Sequence, residues 1–262
     1  IYMKELPLDE IKKLEDKFEI FLKIHKTDNI RELNRYGILK SKIYKKIFYK
    51  FLGWFVSEGS LDITGKNKTH RICISQNKDV NMLNFLEIEQ LLKDIFDHKF
   101  KMNDNRFCIC SEVLYYWLED NCGKGSKNKK IPEIVKFSSY ENKLNFLETL
   151  YKGDGDKRRS EHLFDDISST CRYTTNSITL RDDVIFMLIS MGYSARYKQE
   201  CDKHGRCYFR IFNYKRKNNS WIKQYMANTY EYNGKVYCVT TEKNKTLFAG
   251  SNGAFNIIGN CY

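Results

Sequence analysis

The chain has 262 residues, 42% of them hydrophobic and 15% aromatic, with 45 Lys and Arg against 33 Asp and Glu. Such a composition excludes a disordered chain, and a formal net charge of +12 favours a polyanionic partner, nucleic acid first, with a solvated basic surface as the alternative. No stretch approaches the roughly 20 apolar residues of a membrane span, and the start lacks the apolar run of a signal peptide, so a soluble, intracellular, cytoplasmic protein is expected.

Residues 1–42 contain "LPLDEIKKLEDKFEIFLKIH", a mixed-charge helical pattern read as a connector. A helix is predicted over 43–58, ending "FLGWFVSEG". "SLDI", the turn "TGKNKT" and "HRICISQ" make a hairpin. "DVNMLNFLEIEQLLKDIF" carries a capping aspartate and helical apolar spacing. "HKFKM", "NDN" and "RFCICS" form a second hairpin, whose alternation puts Cys108 and Cys110 on one face. After "KNKKIPEIV", a helix over 140–154 ends "FLETLYKGDG". Then come "HLFDDISSTCRYTT" as strands, "SITLRDDVIFMLISMGY" as a helix, and "SARYKQE" with "CYFRIFNYK" as strands. The nine cysteines are an odd number and scattered, which suits reduced thiols. Cys201-x-x-His204-x-x-Cys207 brackets a hairpin turn, and its spacing is wrong for zinc.

The order helix, two strands, helix, two strands therefore occurs twice. Gly59 and Gly155, which close the matched segments, stand 96 positions apart (155 − 59). An internal duplication explains this, and the fold class is α+β. If the two helices pack side by side, with Gly53 and Gly153 allowing close approach, Glu58 and Asp154 meet at the base of two sheets. Two neighbouring carboxylates are costly unless a divalent cation shares them. Hard oxygen ligands suit Mg²⁺, which keeps its waters and also takes phosphate oxygens. The plain alternative is two helices that stop at glycine with exposed acids.

"FLGWFVSEG" and "FLETLYKGDG" resemble the two dodecapeptide motifs of LAGLIDADG, or DOD-type, homing endonucleases. Glu58 stands where aspartate is commoner, and Thr149 where the motif has a small glycine. "KNKKIPEIV" is similar to the family's Lys-x-Ile-Pro block, which makes Lys129 the lysine near the active site. The resemblance covers about residues 43–228, with halves 43–138 and 139–228. It implies two αββαββ halves whose sheets form a saddle in the DNA major groove. It also implies double-strand cleavage at a long, asymmetric site by a monomer. Glu58 and Asp154 are then metal ligands and Lys129 an electrostatic helper, with Asp156 a surface acid. Lys198 and Lys215 are candidates for a second basic group. Basic residues among aromatics in "HKFKMNDNRF", "ARYKQE" and "YFRIFNYKRK" supply phosphate and base contacts.

The last stretch is read as strands, and "VYCVTTEKNKTLFAG" with "GAFNIIGNC" resembles the two C-terminal splicing blocks of an intein. On that resemblance, residues 229–260 are the C-terminal part of a Hint domain. Asn260 cyclises and cuts the Asn260–Cys261 bond, Cys261 is the thiolate nucleophile, and 261–262 begin the C-extein. Gly259, Cys238 and Thr246 stand where inteins commonly have His, Asp and His. Residue 1 is Ile and no Thr-x-x-His block follows, so the N-terminal intein segment is expected to be absent from this chain. Two other readings stay open: a cleavage-incompetent DNA-binding relic, and a splicing half-intein with a decayed nuclease.

Overall fold

In the structure, a computed structural model, the described residues are 42–66, 68–96, 100–156, 171–214, 231–235, 246–251 and 254–259. Helix α1 (Lys42–Glu58) carries Lys46 and Lys50 along one stripe, while Phe51, Leu52, Trp54 and Phe55 are fully buried. So broad an apolar surface needs cover, and the stretch from Phe48 to Val56 lies in the core. Helix α5 (Tyr140–Asp154) packs along it and buries Phe146, Leu147, Leu150 and Tyr151. Its start is capped by Ser139, whose hydroxyl accepts from Asn142 N–H.

After α1 come strands β1 (Gly59–Thr64) and β2 (Thr69–Ser75), helix α2 (Met82–Phe96), and strands β3 (Lys101–Asn103) and β4 (Arg106–Cys110). These strands form an antiparallel sheet in the order β1-β2-β4-β3. Alternation decides its two faces. Leu61, Ile72, Ile74, Phe107 and Ile109 turn inward and are buried. The same order follows α5: β5 (Gly155–Asp156), β6 (Cys171–Thr175), helix α6 (Ile178–Ser190), β7 (Ser194–Cys201) and β8 (Cys207–Tyr214). The second sheet runs β5-β6-β8-β7, the same topology as the first. The predicted repeat of helix, hairpin, helix, hairpin is therefore present in both halves, and the architecture is α+β with antiparallel sheets.

Between the halves, α3 (Glu112–Cys122), a 3₁₀ turn (Ser126–Asn128) and the short α4 (Glu133–Lys136) carry the chain to α5. The sequence reading assigned no helix here. α3 follows from a Ser111 cap, whose hydroxyl accepts from Leu114 N–H, and from buried Leu114, Tyr115, Trp117 and Leu118. Near the chain end, β9 (Thr246–Ser251) and β10 (Ala254–Gly259) pair as an antiparallel hairpin.

The thiols need one correction. Cys201 and Cys207 lie directly opposite across the β7–β8 hairpin and form a disulfide, so not every cysteine is reduced. With both sulfurs in that bond, they are not zinc ligands. Cys73 and Cys108, also directly opposite in register, approach to 2.9 Å as thiols.

Candidate active site and nucleic-acid face

The contact between α1 and α5 sets the site. A Cβ added at Gly53 would lie 2.1 Å from Thr149 Oγ1 and 2.4 Å from the Phe146 carbonyl oxygen. One added at Gly153 would lie 2.4 Å from Ser57 Oγ and 3.2 Å from Glu58 Cγ. Thr149 compensates for its own bulk, since its buried hydroxyl donates to the Lys50 carbonyl at 3.0 Å. Helix backbones this close leave their C-terminal ends side by side.

Those ends carry Glu58 and Asp154. Asp154 lines an open cavity of about 760 Å³ together with Ser57, Gly59, Lys129, Thr174 and Tyr208. Glu58 stands between two of these lining residues and is half-buried. Solvent reaches Asp154 through the cavity, yet its walls crowd the carboxyl enough to push its pKa up to about 7. Burial is the chief cause, and the negative charge of Glu58 adds to it. Burial also raises the Glu58 carboxyl above the usual range. The Lys129 ammonium opposes the Asp154 shift without cancelling it.

Lys129 is buried, and its Nζ donates to the Phe55 carbonyl at 2.8 Å, 4.0 Å from the centre of the Phe55 ring. It therefore caps the last turn of α1, where a cation suits the helix dipole. Burial lowers its pKa to about 8. The loop that delivers it turns at Gly123, whose φ is +78° and where a Cβ would meet the Asn128 carbonyl oxygen at 1.8 Å.

Sequence reasoning missed Tyr173. It sits opposite Gly155 in the β5–β6 ladder, fully buried. Its hydroxyl makes no full hydrogen bond, but it interacts with Asp154 and feels the charge of Glu58. With burial, these charges hold the phenol well above its ordinary pKa. The signal was only a tyrosine on the inward side of "CRYTT".

The outward sheet faces are basic. On the first, Arg71, Lys101, Asn103 and Arg106 line a second cavity, of about 420 Å³. On the second, Arg172, Arg196, Lys198 and Arg210 alternate with the inward residues of their strands. Asp62 pairs with Arg71 at 3.2 Å, and Glu200 with Arg210 at 2.8 Å and Lys198 at 3.6 Å. Lys198 thus belongs to an exposed ion pair on the sheet. Asp156 lies in β5 opposite Arg172. Lys215, Asn260 and Cys261 lie outside the described residues. The structure brings together Glu58, Asp154 and Lys129.

Among the described residues no group of three or more His, Cys, Asp and Glu side chains could hold a metal. A cation here would take two carboxylates and complete its shell with water or a ligand's oxygens. That donor set, with two mutually repelling carboxyls and one insufficient ammonium, fits a hard divalent ion that retains water. No helix among the described residues is long and apolar enough to cross a membrane.

No protein-family model matches the sequence. A DNA polymerase of Thermococcus aggregans is 32% identical over 148 residues, which are 56% of this chain and 8% of that protein. The ATP-dependent DNA helicase Hel308 of Thermococcus kodakarensis is 29% identical over 153 residues, 56% of this chain and 13% of the helicase. The chain thus spans only a small part of the curated relatives it matches. Among solved structures, mesophilic variants of the homing endonuclease I-DmoI align over 65% of this chain and 83% of theirs. Their TM-score is 0.46 and the identity 20%.

Proposed function

We propose that this chain is a site-specific, divalent-metal-dependent DNA endonuclease of the LAGLIDADG type, embedded in an intein. The observation that carries the reading is the pair of carboxyls, Glu58 and Asp154, delivered to one place by equivalent helix ends. Around them lies an open cavity, and two sheets with basic outward faces flank it. A partial match to a polymerase and another to a helicase, each a small share of the larger protein, supports an element that inserts into unlike hosts.

In this reading Glu58 and Asp154 hold Mg²⁺ with one carboxylate each. When bound, the ion supplies an activated water and charge neutralisation at the phosphodiester. The chain's own groups do the rest. Arg71, Lys101, Arg106, Arg196 and Arg210 neutralise phosphates and fix the duplex on the two sheets. Lys129, held against the end of α1, adds positive potential where the phosphoryl oxygens gain charge. Tyr173 restricts the Asp154 carboxyl from the buried side. The nuclease spans about 43–228, with 1–42 as connector.

The remaining part, 229–260, serves splicing. The Asn260 side-chain nitrogen attacks its own main-chain carbonyl, the Asn260–Cys261 peptide bond breaks, and Cys261 gains a free amine. Full splicing needs a separate N-terminal segment whose nucleophile holds the upstream acyl group as a thioester. The Cys261 thiolate would attack that carbonyl before Asn260 cyclises, forming a new thioester and releasing the first thiolate. This chain alone performs only the Asn260 cleavage.

The test is a plasmid bearing the host gene in its uninterrupted form. With Mg²⁺ the protein linearises it at the insertion point, and Asp154→Asn abolishes the product. Binding to that site without cleavage by the parent protein would instead identify an inactive relic.

A further inference from the structure

We propose that Ser177 and Asp183, both from the second half, are positioning residues that hold Lys129 at the active site by gripping its main chain. The inference rests on the nuclease reading given above, in which Lys129 assists cleavage.

The loop that carries Lys129 has no regular partner strand, so its backbone groups must be satisfied elsewhere. The Lys130 N–H donates to the Cys122 carbonyl at 2.9 Å, and two buried side chains hold the groups on either side of it. Ser177 is fully buried, and its hydroxyl donates to the Lys129 carbonyl at 2.6 Å. The same oxygen accepts from Leu180 N–H at 3.1 Å, capping α6. Two positions further on, the Ile131 N–H donates to Asp183 Oδ2 at 2.8 Å. The other carboxylate oxygen, Oδ1, accepts from Lys136 Nζ at 3.0 Å. Position 129 is therefore held on its carbonyl side and through the amide of residue 131, both by α6. Its side chain meanwhile crosses to the Phe55 carbonyl in the first half.

The α6 cap accounts for Ser177 accepting from Leu180 N–H, but not for its donation to the Lys129 carbonyl. An aspartate at 183 is costly among Leu180, Val184 and Met187, which are buried, unless its oxygens are used. Lys136 uses one, and the Ile131 amide uses the other. The geometry couples the second half's helix to the reactive end of the first half's helix through one lysine, so the two halves must be docked before the site is complete.

The test measures single-turnover cleavage, DNA affinity and hydrogen exchange in one set of full-length proteins. Asp183→Ala and Ser177→Ala should each slow cleavage by about 10- to 100-fold with DNA affinity unchanged. In a Lys129→Met background the same substitutions should cost nothing further, because they act through that lysine. Exchange of the 129–131 amides should quicken at least about tenfold in Asp183→Ala. Asp183→Asn keeps an acceptor for the Ile131 amide, and it should restore at least about tenfold of the lost rate and slow the exchange again. Additive losses in the Lys129→Met background, or unchanged 129–131 exchange in Asp183→Ala, would overturn the proposal. If Lys129→Met alone cuts at the parental rate, the lysine's role in the nuclease reading fails. The exchange data still decide separately whether Asp183 and Ser177 grip the loop.

Discussion

Gly53 faces Thr149 across the α1–α5 contact, and 149 is the position equivalent to 53 in the second half, 96 residues on. Ser57 and Gly153 are related in the same way. Equivalent positions thus meet across a local two-fold, and in each layer one helix supplies glycine while the other supplies a small hydroxyl residue. Gly53→Ala drives a methyl into both a side chain and the Phe146 carbonyl, whereas Gly153→Ala meets mainly the Ser57 side chain. Overpacking costs about 1–3 kcal/mol, against about 1 kcal/mol gained from alanine's helix propensity. Gly53→Ala should therefore be the more destabilising of the two, with a net cost of up to about 2 kcal/mol. Urea unfolding of both variants checks the order.

The acid pair gives a pH dependence with a definite sign. Asp154 keeps its proton to about pH 7 in the native protein, while an unfolded aspartate loses it near pH 4 (about 3.9). Between these values the native state binds more protons than the unfolded state, so this group makes stability fall as pH rises through the window. Thermal melts without divalent ions should show a steeper decline between pH 4 and 7 for the parent than for Asp154→Asn. Millimolar Mg²⁺ at pH 8 should raise the parent's Tm and leave that of Asp154→Asn unmoved.

Lys129 behaves in the opposite sense. Its native pKa is about 8, against about 10.4 unfolded. In that interval the unfolded state holds more protons, so the lysine makes stability rise with pH. Lys129→Met should remove this rise, seen as the difference between parental and variant melts from pH 8 to 10. Cleavage by the variant should drop by about 100-fold or more.

The basic sheet faces predict a salt dependence. Replacing Arg106 or Arg196 by alanine should lower DNA affinity for all sequences alike and reduce the slope of log K against log salt by about 0.9 per lost phosphate contact. Loss of discrimination at one base pair with an unchanged slope would mark that arginine as a base reader instead.

Much of this was legible in the sequence, for identifiable reasons. The helices ending at Glu58 and Asp154 announce themselves because apolar residues run straight to an acid and a glycine, and they appear twice. The hairpins were legible from period-two alternation, as at Arg106–Cys110. The helix Glu112–Cys122 was passed over because it falls between the repeats and has no counterpart. Tyr173, Ser177 and Asp183 were not visible as site residues, since their importance comes from long-range contacts. A serine before "ITL" reads as a helix cap whether or not it also holds Lys129. The Cys201–Cys207 bond was missed because an odd cysteine count argues for thiols, whereas cross-strand register decides which sulfurs meet.

The most direct test of the account is a Mn²⁺ titration, by calorimetry or electron paramagnetic resonance, of the parent, Glu58→Gln, Asp154→Asn and the double variant. If both carboxylates grasp a single ion, each single change weakens binding about tenfold or more, and the double variant is scarcely worse than the weaker single. Undiminished affinity in either single variant would contradict the account.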